Sequence, residues 1–309
     1  MSRLTFIIYC FGIALAGLNS NEAYGQSVQS SERPKVGLVL SGGAAKGLAH
    51  VGVIKVLEEV GIPIDYVGGT SMGSVVGGMY AIGYDANTLE KIVLQQHWSL
   101  LLTDNISRKN MSIEEKQEQS KYFVSFPVQN FKIKLPSGLG EGQNVSMLLS
   151  RLAMPVHHVE DFSNLHRPFV CIATDIVTGE EVVLDHGYLP DAIRASMAIP
   201  TIFSPMEING RWLVDGGLVN NFPADRVKEM GADIIIGVNL GFKPYSKDEL
   251  NSIGTILEQS LFFQSLERNR TNQLLCDILI APDLSSNSSA SFENAAELIK
   301  IGEEAALRA

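Results

Sequence analysis

The sequence predicts a three-layer α/β/α fold, in which helices cover both faces of a mainly parallel central sheet. Short apolar runs of strand length alternate with longer stretches of helical periodicity, and this alternation is typical of parallel sheets. The 309 residues show no internal repeat and no break in composition that would mark a second domain. We therefore expect one domain over residues 35–309.

The predicted strands are short apolar runs that end at glycine or at polar residues. The first, Val36–Leu40, follows Lys35 and precedes Gly42, and its length and flanks favour a buried strand. The predicted strands are 36–40, 65–68, 121–126, 131–135, 169–173, 181–184, 212–214, 233–238 and 277–281.

Helical periodicity predicts the helices that separate these strands. After the first strand, apolar residues recur at helical spacing over 46–60, and the pattern stops at Gly61, shortly before Pro63, as helices do. The predicted helices are 46–60, 74–82, 87–98, 145–153, 189–197, 224–230, 250–268 and 293–308.

The first 25 residues have the composition of a secretory signal peptide. Arg3 precedes an almost wholly apolar run over 4–18, and the small residues Ala23 and Gly25 offer a cleavage site. The apolar run is shorter than the roughly 20 residues that a membrane-spanning helix needs, which favours a signal peptide over an anchor. Cleavage would leave a flexible leader at 26–34, and the protein would be exported: periplasmic, outer-membrane-associated or secreted.

The net charge of −10 limits the classes of partner, because no cluster of basic residues interrupts it. Such a chain is poorly suited to nucleic acid, and it would not bind an anionic surface through charge alone. Contact with lipid would have to rely on apolar side chains. The apolar stretches 98–102 and 261–263 are candidates, although packing in the core is the simpler interpretation of each.

A serine stands in a tight turn between a predicted strand and a predicted helix. Residues 66–73 are Tyr-Val-Gly-Gly-Thr-Ser-Met-Gly, which places Ser71 in a Gly-x-Ser-x-Gly frame. Small flanking residues give room at such a strained turn, and the first amides of the following helix face developing negative charge. Five residues alone are a weak signal for a nucleophile, so the interpretation depends on what else reaches Ser71.

A second glycine-rich turn follows the first strand, at residues 41–47, Ser-Gly-Gly-Ala-Ala-Lys-Gly. A phosphate-binding loop requires Gly-Lys followed by serine or threonine, which is absent. A dinucleotide fingerprint matches at Gly42 and Gly47 but has Ala44 at its second glycine. The third interpretation is an oxyanion hole made by the amides of residues 43–45, which gains weight from a nucleophile nearby.

Ser71 needs a base, and the six histidines offer none in a persuasive setting. His157 and His158 are adjacent, so they would not face the same way, and no histidine has partners at metal-ligand spacing; we expect no metal. Asp215 is better placed, because it ends the predicted strand 212–214, where open α/β sheets place their sites. Two glycines follow it, and an ordinary Asp-Gly-Gly turn is the alternative.

Four sequence blocks together resemble those of the patatin-like phospholipases, in that family's order. Each block is common by itself, whereas the ordered set is specific. The blocks are 41–47 (Ser-Gly-Gly-Ala-Ala-Lys-Gly), 69–73 (Gly-Thr-Ser-Met-Gly), 195–200 (Ala-Ser-Met-Ala-Ile-Pro) and 215–217 (Asp-Gly-Gly).

The resemblance implies a patatin-like hydrolase domain at 35–309, with Ser71 as the nucleophile and Asp215 as the general base. It also implies an oxyanion hole from Gly42, Gly43 and Ala44, where Ala44 replaces a glycine that the family usually has. The residues expected to support these motifs are Lys46, Gly47, Gly69, Gly73, Pro200, Gly216 and Gly217.

Such a dyad would make the protein a serine acyl hydrolase of the phospholipase A or lysophospholipase type, acting without a metal or an organic cofactor. Its partners would be phospholipid or lysophospholipid substrates, with transient contact at a membrane surface. A non-catalytic lipid- or acyl-binding module that retains the fold is the alternative from a different class. A dinucleotide-binding enzyme is a more distant one.

Overall fold

The structure is a computed structural model that describes residues 33–104, 128–129, 132–133, 138–241, 244, 246–248, 250–251, 255–256, 259–260 and 263–309. The predicted signal peptide at 1–25, most of the leader and the predicted strand at 121–126 lie outside the described residues. Across the described residues, no helix is both long and apolar enough to cross a membrane.

Among the residues that the structure describes, the strands form one large sheet and two small pairs. β12, β11, β1, β2 and β6 lie side by side in that order and run parallel, whereas β7, β9 and β10 join by antiparallel pairing. The strands are β1 (Val36–Leu40), β2 (Tyr66–Thr70), β3 (Val128–Gln129), β4 (Lys132–Ile133), β5 (Gly138–Gly140), β6 (Phe169–Asp175), β7 (Glu181–Leu184), β8 (Thr201–Phe203), β9 (Met206–Ile208), β10 (Arg211–Asp215), β11 (Ile234–Val238) and β12 (Ile278–Ile280).

The carboxyl ends of β2 and β10 meet on one side of β6. β2 pairs with the first part of β6 and ends with Thr70 opposite Ile172. β10 runs the other way along the last part of β6 and ends with Asp215 opposite Ala173. β7 pairs with these same β6 residues and therefore occupies the opposite side. The two strands thus approach each other end to end.

Helices cover both faces of the main sheet. Leu38 and Leu40 of β1 lie in the larger core, whereas Val39 between them lies in a second core with Val227, as the alternation of side chains along a strand requires. The helices are α1 (Ala49–Glu59), α2 (Met72–Ala81), α3 (Ala86–Leu94), α4 (Trp98–Thr103), α5 (Gln143–Leu152), α6 (Leu189–Ser196), α7 (Ala224–Glu229), α8 (Leu266–Gln273) and α9 (Ala295–Ala306).

Two glycines let α1 and α9 pack backbone to backbone. A methyl group on Gly52 would overlap the carbonyl oxygen of Ile299, and one on Gly302 would overlap the carbonyl oxygen of Ala49. Each helix therefore presents a stretch of backbone without side chains to its partner. The two helix axes can then lie closer together than larger side chains would allow.

The predicted three-layer α/β/α fold with a mainly parallel sheet is confirmed, and the differences are local. The predicted helix at 46–60 begins instead as a 3₁₀ turn at Ala44–Leu48, before α1. Within the predicted helix at 250–268, residues 255–256 and 259–260 are helical and residues 266–268 begin α8, whereas 252–254, 257–258 and 261–262 lie outside the described residues. The difference at 44–48 arises because apolar periodicity continues across a change of backbone conformation.

Candidate active site

Ser71 occupies the sharp turn between β2 and α2. Its backbone has φ 54° and ψ −124°, a conformation that residues with a side chain adopt only under strain. A methyl group on Gly69 would overlap the backbone of Gly73, and one on Gly73 would overlap the carbonyl group of Leu40 in β1. The turn can therefore form only because both flanking residues are glycine.

The structure brings Ser71 and Asp215 into direct contact. The Ser71 hydroxyl donates a hydrogen bond to Asp215 Oδ2 over 2.6 Å, and the two residues are only 5% and 1% exposed. This contact follows from the sheet, because Ser71 comes directly after β2 and Asp215 is the last residue of β10.

The Asp215 carboxyl group lies in an environment that favours its protonated form. Burial raises its pKa from 3.8 to about 6, although the hydrogen bonds from Ser71 and from the Gly217 amide oppose the rise. The Gly217 amide donates to Asp215 Oδ1 over 2.7 Å. The Asp215 amide donates to the carbonyl oxygen of Ala198 over 2.9 Å, so the 195–200 block holds the backbone of this residue in place.

The glycine-rich turn after β1 offers backbone donors beside Ser71. A methyl group on Gly42 would lie 3.0 Å from Ser71 Cβ, so the turn approaches the serine closely. The Gly42 amide already donates to the carbonyl oxygen of Asn221 over 3.1 Å. The amides of Gly43 and Ala44 have no partner among the described residues, which narrows the predicted donor set to these two.

Ala44, which replaces the family's usual glycine, has a left-handed backbone with φ 47°. Glycine adopts this conformation without strain, whereas in alanine the same conformation is strained. The amide of Met72, the first residue of α2, also has no partner among the described residues. It lies at the positive end of the helix and next to Ser71, as the sequence led us to expect of the first amides of that helix.

Two buried polar side chains, to which the sequence analysis gave no role, hold these turns in place. Ser196 Oγ accepts the Ser71 amide hydrogen bond over 3.0 Å. Asn221 Nδ2 donates to the carbonyl oxygen of Gly42 over 3.3 Å. This bond adds to the one in which the Asn221 carbonyl oxygen accepts the Gly42 amide. Ser196 lies in a recognised sequence block, but nothing in the local sequence indicates which distant amide its hydroxyl reaches.

The remaining predicted residues serve mainly to make room or to turn the chain. A methyl group on Gly47 would overlap the Met72 side chain, and one on Gly216 would overlap the carbonyl oxygen of Ile172. Pro200 lies between α6 and β8. Lys46 is half-buried and makes no ion pair with any residue that the structure describes.

No histidine forms a hydrogen bond with Ser71 or Asp215 within the described part of the chain. His50 is fully buried, and its Nε2 lies 2.8 Å from the carbonyl oxygen of Ser41; burial lowers its pKa from 6.5 to about 4. His157 and His158 contact each other edge to face. The described residues also contain no group of three or more His, Cys, Asp or Glu that could hold a metal ion.

The first of the two apolar stretches considered as lipid contacts packs against the main core. Trp98 stacks on Phe292 with ring centres 4.9 Å apart, and Leu101 and Leu102 pack against the main core. In the second stretch only Phe263 is described, and it is exposed. The apolar side chains of the first stretch are thus partly buried at the border of the core, which is nearer to the simpler interpretation.

The sequence that forms this site matches a known protein family. A family model described as patatin-like phospholipase matches residues 38–228, which include the turn after β1, Ser71 and Asp215. The chain belongs to the patatin-like phospholipase family. The description of that family is one of phospholipases.

Relatives and solved structures extend this comparison. An uncharacterized NTE family protein of Mycobacterium tuberculosis is 32% identical over 213 residues, covering 69% of this chain and 51% of the relative. The lysophospholipase NTE1 of Meyerozyma guilliermondii is 32% identical over 235 residues, covering 74% of this chain and 13% of the relative. VipD from Legionella pneumophila aligns with a TM-score of 0.49 at 16% identity, over 89% of this chain and 66% of VipD. The match thus spans about half of the mycobacterial relative and a small part of the fungal one.

Proposed function

We propose that this patatin-like protein is a serine acyl hydrolase that cleaves lipid carboxylic esters through a dyad of Ser71 and Asp215. The observation that carries the proposal is the 2.6 Å hydrogen bond from the Ser71 hydroxyl to Asp215 Oδ2, formed in a strained and buried turn. A serine hydroxyl becomes a useful nucleophile when an adjacent base accepts its proton, and strained backbone concentrates at functional sites.

In the acylation step, Ser71 Oγ attacks the ester carbonyl carbon while Asp215 accepts the hydroxyl proton. The carbonyl oxygen becomes an oxyanion, to which the amides of Gly43 and Ala44 donate hydrogen bonds. When the tetrahedral intermediate collapses, the bond to the alcohol oxygen breaks. Asp215 returns the proton to that oxygen, which leaves the acyl group on Ser71.

In the deacylation step, water replaces the alcohol. Asp215 accepts a proton from the water as its oxygen attacks the acyl carbon. The second tetrahedral intermediate then releases the fatty acid, and the proton returns to Ser71 Oγ. The chain supplies the nucleophile of the first step, water is the nucleophile of the second, and Asp215 and the oxyanion donors act in both.

The substrates that we propose are phospholipids or lysophospholipids. Family membership supports a lipid ester, and fungal relatives carry the name lysophospholipase. Such substrates assemble into membranes or micelles, so the enzyme would make transient contact with a lipid surface.

We also propose that the protein is exported, because its first 25 residues have the composition of a signal peptide. Expression of the full chain in a bacterial host, followed by fractionation and N-terminal sequencing, tests this. We expect a mature protein that begins at Gln26 outside the cytoplasm. Intact chains that begin at Met1 and remain in the cytoplasm would contradict export.

The dyad is tested by the substitutions Ser71→Ala and Asp215→Asn. Each should abolish hydrolysis of a chromogenic acyl ester while the circular dichroism spectrum is retained, because each removes a reacting group. Ser99→Ala changes an exposed serine and serves as the matched control, with full activity expected. Wild-type rates in folded Ser71→Ala would exclude Ser71 as the nucleophile.

A fluorophosphonate probe separates the enzyme from the alternative, a lipid- or acyl-binding module without turnover. The enzyme should be labelled covalently at Ser71, and peptide mass spectrometry locates the label. Folded protein that binds lipid but is neither labelled nor active would favour the binding module.

A further inference from the structure

Three exposed apolar residues lie beyond the sheet edge that carries Ser71 and Asp215. Ile176 and Val177 stand in the turn after β6, and Trp212 stands near the start of β10. Their exposed fractions are 49%, 78% and 51%, which is high for such side chains. We call these three residues the apolar rim.

Hydrogen bonds hold the apolar rim together. The Ile176 amide donates to the carbonyl oxygen of Trp212 over 2.9 Å, so the turn after β6 and the start of β10 are adjacent. Asp175 Oδ1 accepts the Val177 amide over 2.9 Å, and the Asp175 carbonyl oxygen accepts the Gly179 amide over 2.7 Å. The three residues of the rim therefore stand on two chain segments that hydrogen bonds hold side by side.

The sheet fixes the distance between the apolar rim and the dyad. β6 runs parallel to β2, so both strands end at the same edge. Asp215 lies opposite Ala173, and Val177 follows Ala173 by only four residues, at most about 13 Å along the strand. A lipid surface that contacts Val177 would therefore lie close to Ser71 and Asp215.

The burial of the dyad favours a lipid aggregate as the partner of the apolar rim. A lipid ester has to leave its aggregate and enter a site where Ser71 is only 5% exposed. Tryptophan is favoured at the boundary between lipid and water, and exposed aliphatic side chains favour insertion there. The rim thus has the chemistry of a lipid contact at the place where lipid has to arrive.

The charges around the rim favour one class of lipid. Glu180 and Glu207 are exposed beside it, with Arg211 as the nearby basic residue, and the whole chain carries a net charge of −10. Anionic head groups would be repelled, whereas zwitterionic ones would not. We propose that the apolar rim docks the protein on the surface of a zwitterionic lipid aggregate. This rests on the proposed function.

Trp212 allows a direct test, because the chain has two tryptophans and the other, Trp98, stacks on Phe292. In a Trp98→Phe, Ser71→Ala double variant, fluorescence reports Trp212 alone and hydrolysis does not alter the vesicles. With phosphatidylcholine vesicles, we expect emission at shorter wavelength and quenching by brominated acyl chains. An unchanged spectrum at saturating lipid would overturn the proposal.

A kinetic test uses Val177→Ser and a matched control, Leu274→Ser. Leu274 is 86% exposed but precedes β12, which runs parallel to β11, so it lies at the opposite edge of the sheet. Val177→Ser should lower the rate on phosphatidylcholine vesicles about tenfold and leave a short-chain soluble ester within about twofold. Leu274→Ser should change neither rate.

The outcomes separate this proposal from the proposed function. Absence of all ester hydrolysis together with a clear Trp212 signal would reject the enzyme and retain the docking surface. Equal losses on vesicles and on the soluble ester would show that Val177 supports the site instead, and would overturn docking. So would a change of oligomeric state in Val177→Ser without a change in vesicle binding, since the rim would then join two copies of the chain.

Discussion

At the residue scale, Asp215 is a carboxylate whose surroundings make it a stronger base than a free aspartate. Burial raises its pKa to about 6, which brings its proton affinity nearer to neutral pH, where general bases are most effective. The hydrogen bonds from Ser71 and Gly217 limit the rise, so the group is still ionised at pH 7. The same burial that excludes water therefore adjusts the base.

The pH dependence of hydrolysis follows from this pKa. We expect kcat/KM on a soluble ester to fall as the pH drops through about 6, because protonated Asp215 cannot accept the Ser71 proton. Below that pH the rate should fall about tenfold per unit. Rates measured between pH 4 and 8 check this, and a profile that stays flat down to pH 4 would contradict an Asp215 base.

Asn221 positions the proposed oxyanion donors from a segment that does not itself react. Its carbonyl oxygen accepts the Gly42 amide over 3.1 Å, and its Nδ2 donates to the Gly42 carbonyl oxygen over 3.3 Å. Asn221→Ala removes the second bond and loosens the turn before Gly43. We expect kcat on a soluble ester to fall about 10- to 100-fold with little change in KM, since the donors act chiefly in the transition state.

The control for this substitution is Asn251→Ala, at an exposed asparagine, which should leave kcat unchanged. A merely structural role would appear as a lower melting temperature with normal kcat in the folded protein. That result would remove Asn221 from the positioning of the oxyanion turn. The acid limb of the pH profile should stay near 6, because Asp215 is untouched.

At the scale of elements, the contact of α1 with α9 depends on backbone that no side chain covers. Gly302→Ala would raise helix propensity, but its methyl group would overlap the carbonyl oxygen of Ala49. We expect a net loss of about 1–3 kcal/mol in the free energy of unfolding, measured by urea denaturation, because overpacking outweighs propensity. Glu304→Ala, on an exposed position of α9, is the control and should change stability by less than about 0.5 kcal/mol. A more stable Gly302→Ala protein would show that α9 can move away.

Prediction from sequence succeeded for elements whose signals are local. The apolar run of β1 and the glycines around Ser71 could be recognised because each acts within a few residues. The reversed direction of β10 could not, because a short strand has the same pattern whichever way it runs. The roles of Ser196 and Asn221 were missed for the same reason, since each depends on a partner far away in the sequence.

At the scale of the whole molecule, two buried groups give opposite contributions to stability in acid. Burial lowers the pKa of His50 from 6.5 to about 4. Between these pH values His50 is therefore protonated in the unfolded chain and neutral in the folded chain. Acidification there favours unfolding. Asp215 has its pKa raised from 3.8 to about 6, so the folded chain holds a proton that the unfolded chain releases, and acidification favours folding.

Substitutions at these two positions should therefore change the acid response in opposite directions. His50→Gln should reduce the stability lost between pH 7 and pH 4 by up to about 3 kcal/mol, whereas Asp215→Asn should increase that loss. Urea denaturation of the wild type and both variants at several pH values measures this. Parallel curves for all three proteins would show that neither group titrates differently in the folded state.

The head-to-head meeting of β2 and β10 on β6 has a consequence for how the protein becomes active as it folds. Ser71 and Asp215 are 144 residues apart in the chain, and closing so large a loop is entropically costly and slow compared with forming a helix. During refolding, the helical circular dichroism signal should return before hydrolysis does. Recovery of activity then reports the step at which β2 and β10 have both paired with β6 in the correct register. A chain with well-formed helices but one of these strands misplaced would be inactive.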